Sequence, residues 1–409
     1  MLANCLAGDK KSLRRLQGVT VVKLLLFASL AMLPIYLWSS GGVQIAHAFF
    51  ALYCAAWVLL NRRLPAGRTD LPVLLLLGSV LVRESFAVLF GGPPSDLMPA
   101  LQLLFCLVMF VVLRVSLQDS GAVIWLRRGV IVAALLAMAS VVALGYGAVS
   151  DSEGERAVGS FNNPNQLGYF AVCLAGISGL LKLQGKTSGL TFGALLGISG
   201  FLAIASLSKG AMVAVALGGV FSSFVFIRDR RFVVVPLLCV CALLLVAKLV
   251  FSEGLLDEFK FVHRLQSIGT QDDDSLAGRG YIAWYQEGAL PLLFGIGKSG
   301  VFEAVGHEVH STIGHFFVTY GVIAGLLFVW FVANWCYRVW SVFGFAALVL
   351  VCAPPLLYGL THNGSRFTIF WVLLGFAFAA TERNAKRESA ELRRGSDFVS
   401  DVRLRSGHR

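Results

Sequence analysis

The sequence predicts an all-α, polytopic membrane protein with about twelve transmembrane helices and one long loop outside the membrane. Of its 409 residues, 57% are hydrophobic and only 14% are charged. Apolar runs of about 20 residues, the length at which a helix crosses the hydrocarbon core of a bilayer, recur along the chain. Helices are expected because a spanning segment must satisfy its own backbone hydrogen bonds. The single long polar interruption, residues 252–312, predicts the loop.

Twelve apolar runs predict the individual helices in chain order. They cover residues 19–38, 42–60, 71–90, 97–117, 124–147, 165–181, 189–207, 210–227, 232–251, 313–335, 341–360 and 367–382. The first run follows a basic flank, as a signal peptide does, but no small-residue cleavage site follows Trp38. We therefore expect this helix to be retained.

These runs divide the chain into five parts. A tail (1–18) precedes nine helices (19–251), and the loop (252–312) is followed by three further helices (313–382) and a basic tail (383–409). The basic tail has the composition of a disordered segment that rests on anionic membrane lipid. Nucleic-acid binding is not needed to explain the net charge of +11, and no nucleic-acid partner is predicted.

The distribution of lysine and arginine predicts the orientation of the helices. Connections and the adjoining span ends on one side of the predicted membrane carry 24 of the 34 basic residues, and those on the other side carry 7. Basic residues near the ends of spans favour the cytoplasmic side. Both termini are therefore predicted to be cytoplasmic, and the loop at 252–312 is predicted to lie outside.

Cysteine usage argues against two kinds of site. Six of the eight cysteines fall within predicted spans, Cys336 directly follows one, Cys5 lies in the N-terminal tail, and the external loop contains none. A disulfide framework or a cysteine-based zinc site is therefore not expected, and the thiols are interpreted as small apolar packing groups.

Basic residues on the outer side are candidate anion ligands, because they run against the charge bias of that face. Arg264 and Arg279 lie in the external loop, where local salt bridges to its many carboxylates are the alternative. Together with Arg156 and Arg366, they are positioned in the sequence to converge on one anionic group at the membrane surface. A diphosphate suits them, since a guanidinium binds its oxygens in a bidentate manner and stays charged.

Arg83 is a separate candidate, because it falls in the outer half of the third predicted span. A charge at that depth is costly unless it is paired or faces a wet cavity, so it indicates a functional site. The alternative is an ion pair with a buried group on another helix. The adjacent Glu84 points about a quarter-turn away on a helix.

Histidines cluster at the end of the external loop and are candidates for proton transfer near neutral pH. Residues 307–310 read HEVH, but a zinc-protease signature needs its histidines four positions apart, and these are three apart. A metal site made of His307, Glu308 and His310 remains an alternative, although no metal is predicted. One histidine at this junction of loop and helix is expected to act as a base, or else to cap and pack there.

Four motifs carry a resemblance to a known family. Residues 156–168 read RAVGSFNNPNQLG, and residues 206–211 read SLSKGA. Lys209 in the second motif carries a positive charge, but its ammonium group cannot bind in the bidentate manner of a guanidinium. The loop then presents Arg264, Arg279, Trp284 and the turn PLLFGIG at 291–297. His310 is followed by Ser311, and Gly321 lies eleven positions after the histidine. Over residues 150–380 this order resembles the O-antigen ligase and polymerase superfamily, where asparagine usually follows the histidine and arginine usually stands at the lysine position.

The resemblance implies a GT-C-type membrane glycosyltransferase in the inner membrane of a bacterium, with its active site facing the periplasm. The implied donor is a glycan on undecaprenyl diphosphate, the implied acceptor is the lipid A core oligosaccharide, and no cofactor is required. His310 would act as the base, with Arg264 and Arg279 as the other catalytic residues. Further contacts to the diphosphate or the glycan are expected from Arg83, Arg156, Lys209, Trp284, His307, His315, His362 and Arg366.

The resemblance favours a ligase, because the chain is compact and has one loop of about 60 residues. A polymerase of the same superfamily is the alternative. A secondary transporter shares the twelve-helix plan, but it usually has two similar halves and a long central cytoplasmic loop. A lipid-linked sugar flippase would need charged residues through the bundle centre, and this chain has few there.

Overall fold

A computed structural model describes residues 18–38, 42–62, 67–94, 97–144, 157–226, 280–281 and 289–406. These residues form helices, and none of them lies in a strand. The helices are α1 (Gly18–Ala31), α2 (Ile45–Asn61), α3 (Leu71–Leu89), α4 (Leu97–Ser116), α5 (Ser120–Leu144), α6 (Pro164–Leu183), α7 (Gly189–Ala205), α8 (Lys209–Phe226), α9 (Ala289–Phe294), α10 (Gly297–Val305), α11 (Thr312–Phe343), α12 (Phe345–Val351), α13 (Ala353–Gly359) and α14 (Thr368–Ser406).

The all-α prediction is confirmed for the described residues. Five of the helices, α3, α4, α5, α6 and α11, are long and apolar enough to cross a membrane, and α1, α2, α7 and α8 are shorter apolar helices. Most helix ends agree with the predicted runs within a few residues. The predicted span at 232–251 lies outside the described residues, so the total of twelve stays a prediction.

Apart from α11, which continues eight residues beyond the predicted run at 313–335, three predicted segments differ from the structure. The run at 19–38 is helical only as far as Ala31, and Pro34 lies in the non-helical segment that follows. The run at 341–360 is not one helix but α12 and α13, which are separated at Cys352. Pro354 and Pro355 fall in the first turn of α13, where proline is tolerated because no intrahelical donor is needed there.

The third difference concerns the C-terminal tail, which is not disordered as far as Ser406. Helix α14 continues without interruption from the predicted span into the tail. Residues 382–394 contain neither glycine nor proline and are rich in alanine, glutamate, lysine and arginine. These residue types favour helix, so the helix continues.

Helix α6 is the central helix of the bundle. It packs against α7, α8, α12, α13 and α14, and 89% of its most apolar stretch is buried. Helix α14 also packs along α4, and α11 packs against α3. The segment between α13 and α14, residues 360–367, therefore emerges from the middle of the bundle, where it is held by elements on several sides.

A buried ion network connects three helices at the end of the bundle predicted to be cytoplasmic. Arg114, at the end of α4, contacts Asp70 before α3 and Glu382 in α14, each at 2.8 Å. Gln118 donates a hydrogen bond to Glu382 at 2.6 Å. The Asp70 side chain is fully buried, so its charge depends on Arg114 for compensation.

Replacing Arg114 with alanine should destabilise the protein by about 3–5 kcal/mol, because two carboxylates then lose their buried partner. Thermal unfolding in detergent measures this effect. Arg128→Ala is the control, since the exposed Arg128 guanidinium lies over Trp125 at 5.0 Å and should contribute about 1 kcal/mol at most. Equal losses in the two variants would contradict the assigned role of the network.

Candidate functional site

A cavity of about 540 Å³ lies between α2, α4, α10, α11 and the segment before α14. This volume falls within the range of about 300–1,000 Å³ that is usual for ligand sites. Most of its lining is apolar, with side chains such as Met98, Phe105 and Phe302. Its polar side chains are His47, Gln102, Lys298, Glu308, His315, Thr319, Tyr320, Ser365, Arg366 and Thr368.

A glycine turn fixes one wall of this cavity. Gly295 and Gly321 both have positive φ, at 77° and 84°, and α11 is kinked at Gly321. A Cβ atom on Gly295 would overlap the carbonyl group of Thr319, and one on Gly321 would overlap that of Leu293. The two backbones therefore touch, which only glycine permits. This contact seats α10 against α11 and explains why the turn at 291–297 and Gly321 occur together.

Arg83 reaches the same turn from α3. Its guanidinium lies directly against the Cα of Gly297, so any side chain there would overlap it. Its Nη1 also contacts Glu84 Oε2 at 3.0 Å. The observed ion pair is therefore with the neighbouring residue of the same helix and not, as the alternative had it, with a group on another helix, because a long arginine side chain can fold back to Glu84. Arg83 is not among the residues that line the cavity.

Arg366 and Glu308 form an ion pair at the cavity wall. The distance between Arg366 Nη1 and Glu308 Oε1 is 2.5 Å, and each side chain is about one-third exposed, at 31% and 32%. The Nε of Arg366 is buried and has no hydrogen-bond partner within the described part of the chain. The exposed third of the Arg366 side chain is the part open to a ligand in the cavity.

Lys298 is a second cation at this cavity. It immediately follows Gly297, at the start of α10. The sequence prediction counted it among the outer basic residues but did not assign it to a site. Its position directly after the turn at 291–297 was the sequence signal that could have identified it as a site residue. Lys298 and Arg366 are the lysine and arginine side chains among the described residues that line the cavity.

Three histidines form a second cluster, which we call the histidine cluster: His307, His310 and His362. The ring centres of His307 and His310 are 4.7 Å apart, and those of His310 and His362 are 6.4 Å apart. His362 also stacks on Tyr358 at 4.6 Å, and its Nδ1 lies 3.0 Å from Thr361 Oγ1. The structure thus brings together three predicted site residues from two segments of the chain.

His310 is exposed and does not supply the N-cap of α11. Ser311 does so, because its hydroxyl accepts a hydrogen bond from Gly314 N–H at 3.0 Å. Serine, like asparagine, is a favourable N-cap. The alternative interpretation of His310 as the helix cap is therefore wrong.

His315 belongs to the cavity and not to the histidine cluster. It lies on the first turn of α11, where its Nδ1 is 3.2 Å from the Thr319 hydroxyl, and it lines the cavity together with Arg366. The two groups of site residues are adjacent, because Glu308 lines the cavity and lies between His307 and His310 in the chain.

Tyr358 connects two of the sequence motifs beneath the histidine cluster. Its hydroxyl donates to the carbonyl oxygen of Asn165 at 3.2 Å and accepts from the Ser208 hydroxyl at 3.0 Å. Gly210, which follows Lys209, packs against the Tyr358 ring. Lys209 therefore begins α8 close to the cluster. Tyr358 lay in an apolar run, and nothing in its sequence context distinguished it.

Asparagines of the first motif shape the start of α6. Asn163 is the N-cap, and its side chain accepts from Gln166 N–H at 2.9 Å. The Asn162 side chain donates to the carbonyl oxygen of Trp38 at 2.8 Å. These contacts are structural, and they place the motif against the segment that follows α1.

Four candidate residues lie outside the described part of the chain: Arg156, Arg264, Arg279 and Trp284. Gly280 and Tyr281, which follow Arg279 in the sequence, are described. The Tyr281 hydroxyl donates to the carbonyl oxygen of Leu360 at 2.6 Å, and Gly280 packs against Val305 and Val309. The chain just after Arg279 therefore lies beside the histidine cluster.

The metal alternative at residues 307–310 does not fit the observed contacts. The Glu308 carboxylate is engaged by Arg366, and His307 Nδ1 lies 2.8 Å from the backbone carbonyl oxygen of Glu308. Within the described ranges, no group of three or more histidine, cysteine or acidic side chains is arranged to hold a metal ion.

The fold and the site define a class: a helical membrane protein with a cationic, largely apolar cavity beside a cluster of histidines. A comparison with known protein-family models finds no match, and a search of curated proteins also finds none.

Proposed function

We propose that this protein is an O-antigen ligase, a GT-C-type glycosyltransferase of the bacterial inner membrane. It transfers a glycan from undecaprenyl diphosphate to the lipid A core oligosaccharide on the periplasmic side. The observation that carries the proposal is the pairing of a cavity holding Arg366 and Lys298 with the exposed His310 next to it. The apolar lining suits a lipid, and the cations suit its diphosphate.

The proposed reaction is one inverting displacement at the anomeric carbon. An acceptor hydroxyl forms the new bond to that carbon as the bond from the carbon to the diphosphate oxygen breaks. His310 takes the proton of the hydroxyl. The diphosphate leaves with the bonding electrons, and its developing charge is stabilised by Arg366 and Lys298, with Arg264 and Arg279 as further arginines from the external loop.

Other predicted residues have supporting parts in this proposal. Arg83 holds the turn at Gly297 and so positions Lys298, while Lys209, His307 and His362 lie near the base. Arg156 and Trp284 keep their predicted roles as substrate contacts. Because the donor is already activated by its diphosphate, the reaction requires neither a nucleotide nor another cofactor.

Reconstitution with two acceptors tests the proposal. Purified protein in nanodiscs receives a glycan on undecaprenyl diphosphate, together with either rough lipopolysaccharide or only further donor. Glycosylated lipopolysaccharide is the expected product. Growth of the lipid-linked chain would instead show a polymerase. Binding of the donor without either product would overturn the assignment as a transferase and favour transport.

A further inference from the structure

We propose that Glu308 determines the ligand specificity of the cavity: its carboxylate occupies Arg366 until a diphosphate displaces it, so that lipids with a single phosphodiester are refused. This inference rests on the proposed function, because it takes the cavity to be the diphosphate site. It adds a means by which that site distinguishes its donor from the anionic phospholipids around it.

The contact places the Glu308 carboxylate on the guanidinium nitrogen that an anionic ligand of Arg366 would use. Glu308 Oε1 is 2.5 Å from Arg366 Nη1, and both residues line the cavity. Both side chains are about one-third exposed, so the carboxylate can turn away from the arginine without leaving a charge buried. The two residues come from different segments, 58 positions apart, and the pair is not a local helix contact.

The charges that line the cavity make this competition selective. Among the described residues that line it, Lys298 and Arg366 are the cations, apart from two histidines, and Glu308 is the one acid. A phosphodiester carries a charge of about −1, the same as the carboxylate, so exchanging one for the other gains little Coulomb energy. A glycan-linked diphosphate carries about −2, so it gains more Coulomb energy than a single negative charge does in a cavity lined by two cations, and it therefore displaces the carboxylate.

A selective site is needed here because the proposed cavity is apolar and belongs to a membrane protein. Phospholipids with one phosphodiester far outnumber any lipid-linked glycan in a bilayer, so a bare cationic cavity would be filled by them through mass action. A carboxylate inside the cavity means that only a ligand with more negative charge than the carboxylate binds well. The same competition weakens the hold on the diphosphate product and so assists its release.

Binding of farnesyl diphosphate in two kinds of nanodisc tests this inference. The dissociation constant is measured in phosphatidylcholine and in phosphatidylglycerol, and the ratio of the two values reports how well the anionic phospholipid competes. Glu308→Gln should raise this ratio about two- to fivefold above wild type, the scale of one exposed ion pair. Glu303→Gln removes the same charge from an exposed position of α10 outside the cavity, so it should leave the ratio unchanged.

The outcomes separate this inference from the proposed function. An unchanged ratio in Glu308→Gln would overturn the inference, even if the protein transfers glycan normally. A raised ratio in a protein that transfers nothing would support the inference and overturn the proposed reaction. If the glutamine variant does not fold, Glu308→Asp replaces it: its shorter side chain weakens the contact with Arg366, so a ratio above wild type is expected, and a wild-type ratio would overturn the inference.

Discussion

Replacing His310 with alanine is expected to lower the rate of glycan transfer by about 10²–10⁴-fold, because the acceptor hydroxyl loses its base. The variant should fold normally, since His310 is exposed and the cap of α11 is provided by Ser311. Donor binding should also be unchanged, because the cations lie on other residues. The measurement is the initial rate in nanodiscs at saturating donor.

The control for this prediction is His307→Ala, which removes an imidazole from the same segment. His307 is only a ring neighbour of His310, with the ring centres 4.7 Å apart, so its loss should cost far less activity. Wild-type turnover by the His310 variant would refute its assignment as the base. A larger loss from the His307 variant would transfer the role to that residue.

Gly321→Ala should destabilise the protein far more than Gly344→Ala, although the two glycines have nearly the same backbone angles. Gly321 has φ 84° and ψ 177°, and Gly344 has φ 85° and ψ 177°. Strain from this conformation, about 1–3 kcal/mol, is therefore common to both variants. Only at Gly321 does the new Cβ overlap another backbone, at Leu293, whereas nothing lies within 4 Å of it at Gly344.

Thermal unfolding in detergent compares the two glycine variants directly. We expect Gly344→Ala to lower the midpoint modestly and Gly321→Ala to prevent accumulation of folded protein or to lower the midpoint much further. Because the glycine contact also seats α10, transfer should be lost in any Gly321→Ala protein that folds. Equal midpoints would show that the turn at 291–297 is not held by this contact.

Most helices could be predicted from the sequence, because apolar runs of membrane length are a strong local signal. The failures have local causes. A hydropathy window averages over Pro354 and Pro355, so it does not detect the break at Cys352. For the same reason it extends the first predicted helix beyond Pro34. The helical tail was missed because its charge suggested disorder, while its helix-forming residues were given less weight.

The site was predictable by residue type but not by arrangement. Arg366 and His315 were named from charge and titration behaviour, yet their placement in one cavity depends on the packing of α11 against the segment before α14. The pairing of Arg366 with Glu308 joins positions 58 residues apart, which no local pattern reveals. Tyr358 had no sequence signal, because a buried tyrosine in an apolar run resembles any core residue.

The spacing between His310 and Gly321 illustrates what the structure adds to a motif. In the sequence it is a distance of eleven positions. In the structure it is the length of the part of α11 before its kink, measured from the exposed His310 to Gly321, where the turn at 291–297 contacts the helix. A change in that length would move the histidine relative to the cavity, so the spacing is a geometric requirement of the proposed site.

The central claim is that the cavity and the histidine cluster open to the periplasm, where the proposed donor and acceptor meet. Cysteine labelling tests it most directly, in a variant otherwise free of cysteine. Glu303→Cys reports the exposed surface of α10 beside the site, and Asn61→Cys reports the exposed end of α2 on the opposite side. In intact spheroplasts, a membrane-impermeant maleimide should label position 303 and spare position 61 until the membrane is opened. Labelling of position 61 from outside, with position 303 protected, would place the site in the cytoplasm and contradict the account.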